Sequence, residues 1–71
     1  MNLQEELRLT FRPGVKYTNK QIKSTLKYLY EIHGVKSKAK AQDLKLFGFN
    51  VKRAMIRSED RKRVEGLLIL P

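Results

Sequence analysis

The sequence predicts a small α+β domain, two to three helices followed by a C-terminal β-hairpin, and three observations lead there. Ile22, Leu26, Leu29 and Ile32 recur at spacings of four, three and three, the apolar stripe of an amphipathic helix. Further on, FNVKRAMIR and VEGLLIL carry strand-type residues around the polar, turn-like SEDRKR, which reads as a hairpin. Finally, 71 residues allow one domain, spanning 1–71, with one thin core.

Each element has its own local signal. In LQEELRLTF, Leu3, Leu7 and Phe11 fall four apart as on a helix, while Leu7, Leu9 and Phe11 alternate as on a strand. A short helix to about Leu9 is the preferred reading. Arg12-Pro13-Gly14 breaks regular structure, and Val15-Lys16-Tyr17 is extended. Thr18 with Gln21 three residues later forms a Thr-x-x-Gln capping box at the start of the striped helix. Tyr28 and Tyr30 lie on the borders of its stripe, and Gly34 ends it. Ser37 can cap a second helix running to about Phe47, with Ala41, Leu44 and Phe47 toward the core and Gly48 as its stop. The alternation of the following strand breaks around Arg53, which leaves room for a bulge.

Charge narrows the function class. The formal net charge is +9. From Arg8 to Arg57 there are 13 Lys or Arg against Glu31 and Asp43, a local excess of 11 positive charges. The other acids, Glu5, Glu6, Glu59, Asp60 and Glu65, lie toward the two ends. A surface built for solubility alone mixes its signs, and this middle section barely does. Such a field favours nucleic acid or another polyanion as partner.

Helix, a turn containing glycine, and a second helix make a helix-turn-helix. With the extended piece before it and strand, charged tip and strand after it, the order is that of a winged helix-turn-helix. The stretch PGVKYTNKQIKSTLKYLYEIHGVKSKAKAQDLKLFGF, roughly half of the chain, resembles small winged-helix domains of bacterial phage, plasmid and mobile-element replication proteins, often the C-terminal part of primase–helicase chains. The similar features are Tyr17-Thr18, the KQIKSTLKYLY helix, Gly34 and KAKAQDLKLF. The resemblance implies a DNA-contacting accessory domain without enzymatic activity, working beside other replication proteins. Individual contact residues come from the charge pattern.

The second helix of such a unit enters the major groove with its N-terminal residues nearest the bases. Here that start is Lys36, Ser37, Lys38, Lys40 and Gln42, with Lys45 following. Lysine can bind phosphate or guanine, and Gln42 can address an adenine edge. Alanines at 39 and 41 let a helix approach closely. Lysines in a first turn oppose the helix macrodipole, a conflict that an anionic partner removes. The alternative is a solvated, lysine-rich helix start. Lys52, Arg53 and Arg57, with Arg61, Lys62 and Arg63 at the tip, would line the wing, where they also guard a sheet edge. Lys20 can meet phosphate at the start of its helix. Lys23 and Lys27 read as a solvated face, with Lys27 free to pair with Glu31.

Other chemistries find little support. There is no cysteine, so disulfides and thiol nucleophiles are excluded, and one histidine, His33, gives no standard metal site. No nucleophile motif, phosphate-binding glycine loop or paired-carboxylate arrangement is present, and no cofactor is expected. The longest apolar run, Leu67–Leu70, cannot span a bilayer, and the acidic start MNLQEEL is unlike a signal peptide. These features favour a soluble, cytoplasmic protein binding duplex DNA. Two rivals stay open. One is a basic RNA-binding or ribosome-associated domain. The other is a protein-interaction module marked by an exposed apolar patch near Leu67–Leu70 or Tyr30.

Overall fold

A computed structural model describes all 71 residues. The protein is a small α+β fold of three helices and one three-stranded antiparallel sheet. In chain order these are α1 (Leu3–Thr10), β1 (Lys16–Thr18), α2 (Asn19–Ile32), α3 (Asp43–Leu46), β2 (Val51–Arg57) and β3 (Arg63–Ile69). The sheet order is β1-β3-β2, so the last strand lies in the middle.

Helix α1 starts where the Asn2 side chain accepts the Glu5 N–H at 2.9 Å, and the first-turn acids Glu5 and Glu6 complement its dipole. Only Leu7 is fully buried on it. The Tyr17 hydroxyl secures the chain after α1, accepting the Arg12 N–H at 3.0 Å and donating to the Thr10 carbonyl at 3.2 Å. The Phe11 ring meets Tyr17 and Phe49 edge-on, at 5.1 and 6.4 Å between centroids.

The capping box at Thr18 and Gln21 forms in full, with reciprocal bonds of 3.0 and 2.9 Å. Helix α2 buries Ile22, Leu26, Leu29 and Tyr30. The expected stripe is corrected at its end: Ile32 is exposed and Tyr30 takes the buried place. Gly34, at φ +69°, closes α2 in a Schellman arrangement, with Val35 N–H to the Tyr30 carbonyl at 2.8 Å and Gly34 N–H to the Glu31 carbonyl at 3.3 Å. His33 Nε2 lies 3.1 Å from Glu6 Oε1 and links the end of α2 to α1. Lys27 and Glu31 form no ion pair.

The helix expected from Ser37 to Phe47 is much shorter. Residues 37–40 are non-helical and Ser37 makes no cap; the chain tightens only from Ala41, and α3 covers four residues. Two forces explain the difference. Ala39 is buried in the core, which ties the segment down at that residue. Asp43 closes the turn that leads into α3: its carboxylate accepts the Lys40 N–H at 3.2 Å while its own N–H donates to the Lys40 carbonyl at 2.9 Å. Gly48, at φ +87°, ends the turn with a second Schellman pair, Phe49 N–H to the Leu44 carbonyl and Gly48 N–H to the Lys45 carbonyl.

Strands β2 and β3 pair without a bulge, from Val51 opposite Ile69 to Arg57 opposite Arg63. The broken alternation near Arg53 is real but has another cause. Leu67 and Ile69 are buried under the helices, while Arg53, Met55 and Arg57 lie on that same face of the sheet but are exposed. Strand β1 covers only Gly66 to Leu68 on the other side of β3. The core consists of 11 buried apolar residues from all three helices, the loops and β3.

Candidate nucleic-acid interface

Basic residues far apart in sequence converge on one side of the molecule. A first groove lies between the start of α2 and the non-helical segment before α3, and Lys20, Lys23, Lys38, Lys40 and Gln42 line it. A second groove continues from it between the turn before α3 and the hairpin. The two share Asn19, Ala41 and Gln42, and the second adds Arg53, Met55 and Glu65. A third hollow, at the far end of the hairpin, shares Met55 and adds Arg57, Arg61 and Arg63. The track of these three hollows carries eight Lys or Arg side chains and one carboxylate, Glu65, which is 2.9 Å from Arg53; a fourth hollow that shares Asn19, Lys20 and Glu65 with them adds Glu59 and Asp60.

The lysine-bearing segment is held from behind. Asp43 Oδ2 accepts the Tyr30 hydroxyl at 2.9 Å as well as the Lys40 N–H. Burial, and next the bond to Asp43, push the Tyr30 phenol up to about 12. The Tyr30 ring packs against Phe47 at 6.3 Å between centroids. Lys38 and Lys40 alternate with buried Ala39 and thus face outward on an anchored strip of backbone. Alanine 39 serves the core here, rather than a close approach of a helix to a groove.

The hairpin tip is ordered by its own bonds. Ser58 N–H donates to the Lys62 carbonyl at 2.8 Å and Arg61 N–H to the Ser58 carbonyl at 3.0 Å. Asp60 accepts from the Ser58 hydroxyl and the Lys62 N–H, which lowers its pKa.

Among the residues expected from sequence, Lys20, Lys38, Lys40, Gln42, Arg53, Arg57, Arg61 and Arg63 line this track. Lys36, Ser37, Lys45 and Lys62 are exposed and line none of the three hollows. Lys52 falls on the opposite face of the sheet, because strand alternation sets it and Lys16 against Leu68, between the buried Leu67 and Ile69. Lys23, read from sequence as solvated, shares the first groove, and its spacing of three from Lys20 on one helix was the available signal. Asn19 was passed over. It lies where the two grooves meet, and its Oδ1 is buried without a hydrogen-bond partner.

No helix is long and apolar enough to cross a membrane. Comparison with family models, curated proteins and solved structures finds no match to the chain.

Proposed function

We propose that this protein is a winged-helix module that binds duplex DNA, an accessory part of a replication or mobile-element assembly. The observation that carries the reading is the track of eight cations with one neutralised carboxylate. The element order and the β1-β3-β2 sheet are compatible with a winged helix. In this reading α3 and the segment before it meet the major groove. Lys20, Lys23, Lys38 and Lys40 contact phosphates and fix register, while Gln42 faces base edges.

A basic RNA-binding domain shares the charge, so the test sets three ligands side by side. Titration with duplex DNA, single-stranded DNA and structured RNA of equal length, at one salt concentration, should give the tightest binding to duplex DNA. Tighter binding to RNA would replace this reading with the RNA one. The protein-interaction alternative keeps only part of its expected patch: Tyr30, Leu67 and Ile69 are buried and Leu68 is half-buried, while Leu70 is exposed. It keeps Tyr28 and Ile32, exposed and four apart on α2.

A further inference from the structure

The end of the hairpin brings together charges that nothing on the protein neutralises. The last pair of the ladder sets Arg57 directly opposite Arg63. Like charges directly opposite each other weaken a strand pair. Arg61 joins them from the tip with φ +65°, a left-handed conformation that residues other than glycine seldom adopt. All three side chains, with Met55, line one hollow that contains no carboxylate. Arg53, on the same face, shows the contrast, since it is paired with Glu65.

The nearby acids are directed elsewhere. Asp60 is bound to Ser58 and the Lys62 N–H, and it lies with Glu59 along a different hollow beside Thr18 and Lys20. The tip bonds from Ser58 to Lys62 and from Arg61 to Ser58 hold the Arg61 backbone in its left-handed turn. A cluster of exposed arginines on a fixed backbone, kept against both pairing and backbone preference, suits an oxyanion. Guanidinium forks match the oxygens of phosphate two at a time.

We propose that Arg57, Arg61 and Arg63 form a discrete phosphate-binding pocket at the end of the β2–β3 hairpin, which takes a phosphate group of the bound nucleic acid. The phosphate chemistry stands on the pocket alone, and its nucleic-acid source rests on the function proposed above.

The test follows the arginine Nε–Hε signals of the full chain by NMR, first with inorganic phosphate at constant ionic strength. The signals of Arg57, Arg61 and Arg63 should move together and saturate, while those of Arg8, Arg12 and Arg53 stay in place. Arg63→Gln and Arg61→Gly should each weaken phosphate binding tenfold or more. Both should also keep or raise the melting temperature, because one removes the opposed pair and the other relaxes the backbone. Uniform movement of all arginines, no saturable movement, or lower melting with unchanged phosphate affinity would each overturn the pocket. A duplex with and without 5′-phosphates then identifies the source: stronger shifts with the phosphorylated ends assign a strand terminus, equal shifts the phosphodiester backbone. Phosphate binding by a chain that ignores duplex DNA would leave the pocket standing and remove the function proposed for the grooves. Duplex binding without any phosphate response at these arginines would do the reverse.

Discussion

Gly66 sits where β1 and β2 both close on the central strand, and the space beside its Cα is already filled. A Cβ there would run into the Tyr17 carbonyl oxygen, the Ile56 side chain and, at 3.0 Å, the Thr18 Cα. Two of these obstacles are backbone, so they cannot turn aside. Gly66→Ala should destabilise the protein by about 1–3 kcal/mol, the usual cost of overpacking, and open the β1–β3 pairing first. Amide exchange at Lys16–Thr18 checks the order of loss. Tyr30 carries a second expectation at this scale. Its folded pKa, about 12, lies above the ordinary value of 10.0, so the folded state favours the neutral phenol. Its contribution is therefore complete below pH 10 and lost as pH rises through 12. Tyr30→Phe should flatten stability across that range, as followed by denaturant midpoint against pH. The residue scale also shows where sequence reading stops. At about 100° per residue, Tyr30 and Ile32 lie nearly equally far to either side of the line through Ile22, Leu26 and Leu29. Periodicity alone cannot rank them; Phe47 and Asp43, brought in by the fold, select Tyr30.

Among the elements, α2 and the hairpin were the most legible, because their signals are local. A capping box, a stripe, a terminating glycine and two strand-type runs need no partner to be recognised. The segment 37–47 was not legible in the same way. Its serine, alanines and leucines fit a longer helix, but burial of Ala39 and the side chain of Asp43 move the helix start from Ser37 to the turn at Ala41. Asp43 is thereby the hinge between core and surface, bonded to Tyr30 behind and to the Lys40 backbone in front. Asp43→Ala should cost about 1–3 kcal/mol, because it removes the acceptor of both the Tyr30 hydroxyl and the Lys40 N–H, and expose the Lys40 amide to rapid exchange while α2 stays protected. Unchanged protection at Lys40 would show that the buried Ala39 holds the segment alone. The candidate site was half visible in advance: the lysines and arginines stood out by charge. Their grouping did not, because only the packing of α2 against the segment before α3 brings Lys20 and Lys23 beside Lys38 and Lys40.

Across the whole molecule, six of the 13 basic residues between Arg8 and Arg57 lie along the track, joined there by Arg61 and Arg63. The two grooves and the hairpin hollow hold eight of the 16 cations in one continuous run, whereas Lys16 and Lys52 lie across the sheet from it. Duplex binding through this face should depend steeply on salt. About six phosphate contacts give a log–log slope of roughly −5, which affinity measured from low to physiological ionic strength will read directly. The slope reports how many charges engage, and a paired comparison reports which ones. Lys38→Ala with Lys40→Ala removes two charges from the first groove, and Lys16→Ala with Lys52→Ala removes two from the far face of the sheet. None of the four side chains is buried, so both variants should fold. Duplex affinity of the two, measured in the same buffer, is the most direct test of the oriented interface: the groove pair should lose more than tenfold and the far pair about threefold or less, whereas equal losses would mean that the charge acts diffusely and that the grooves are not where DNA is held.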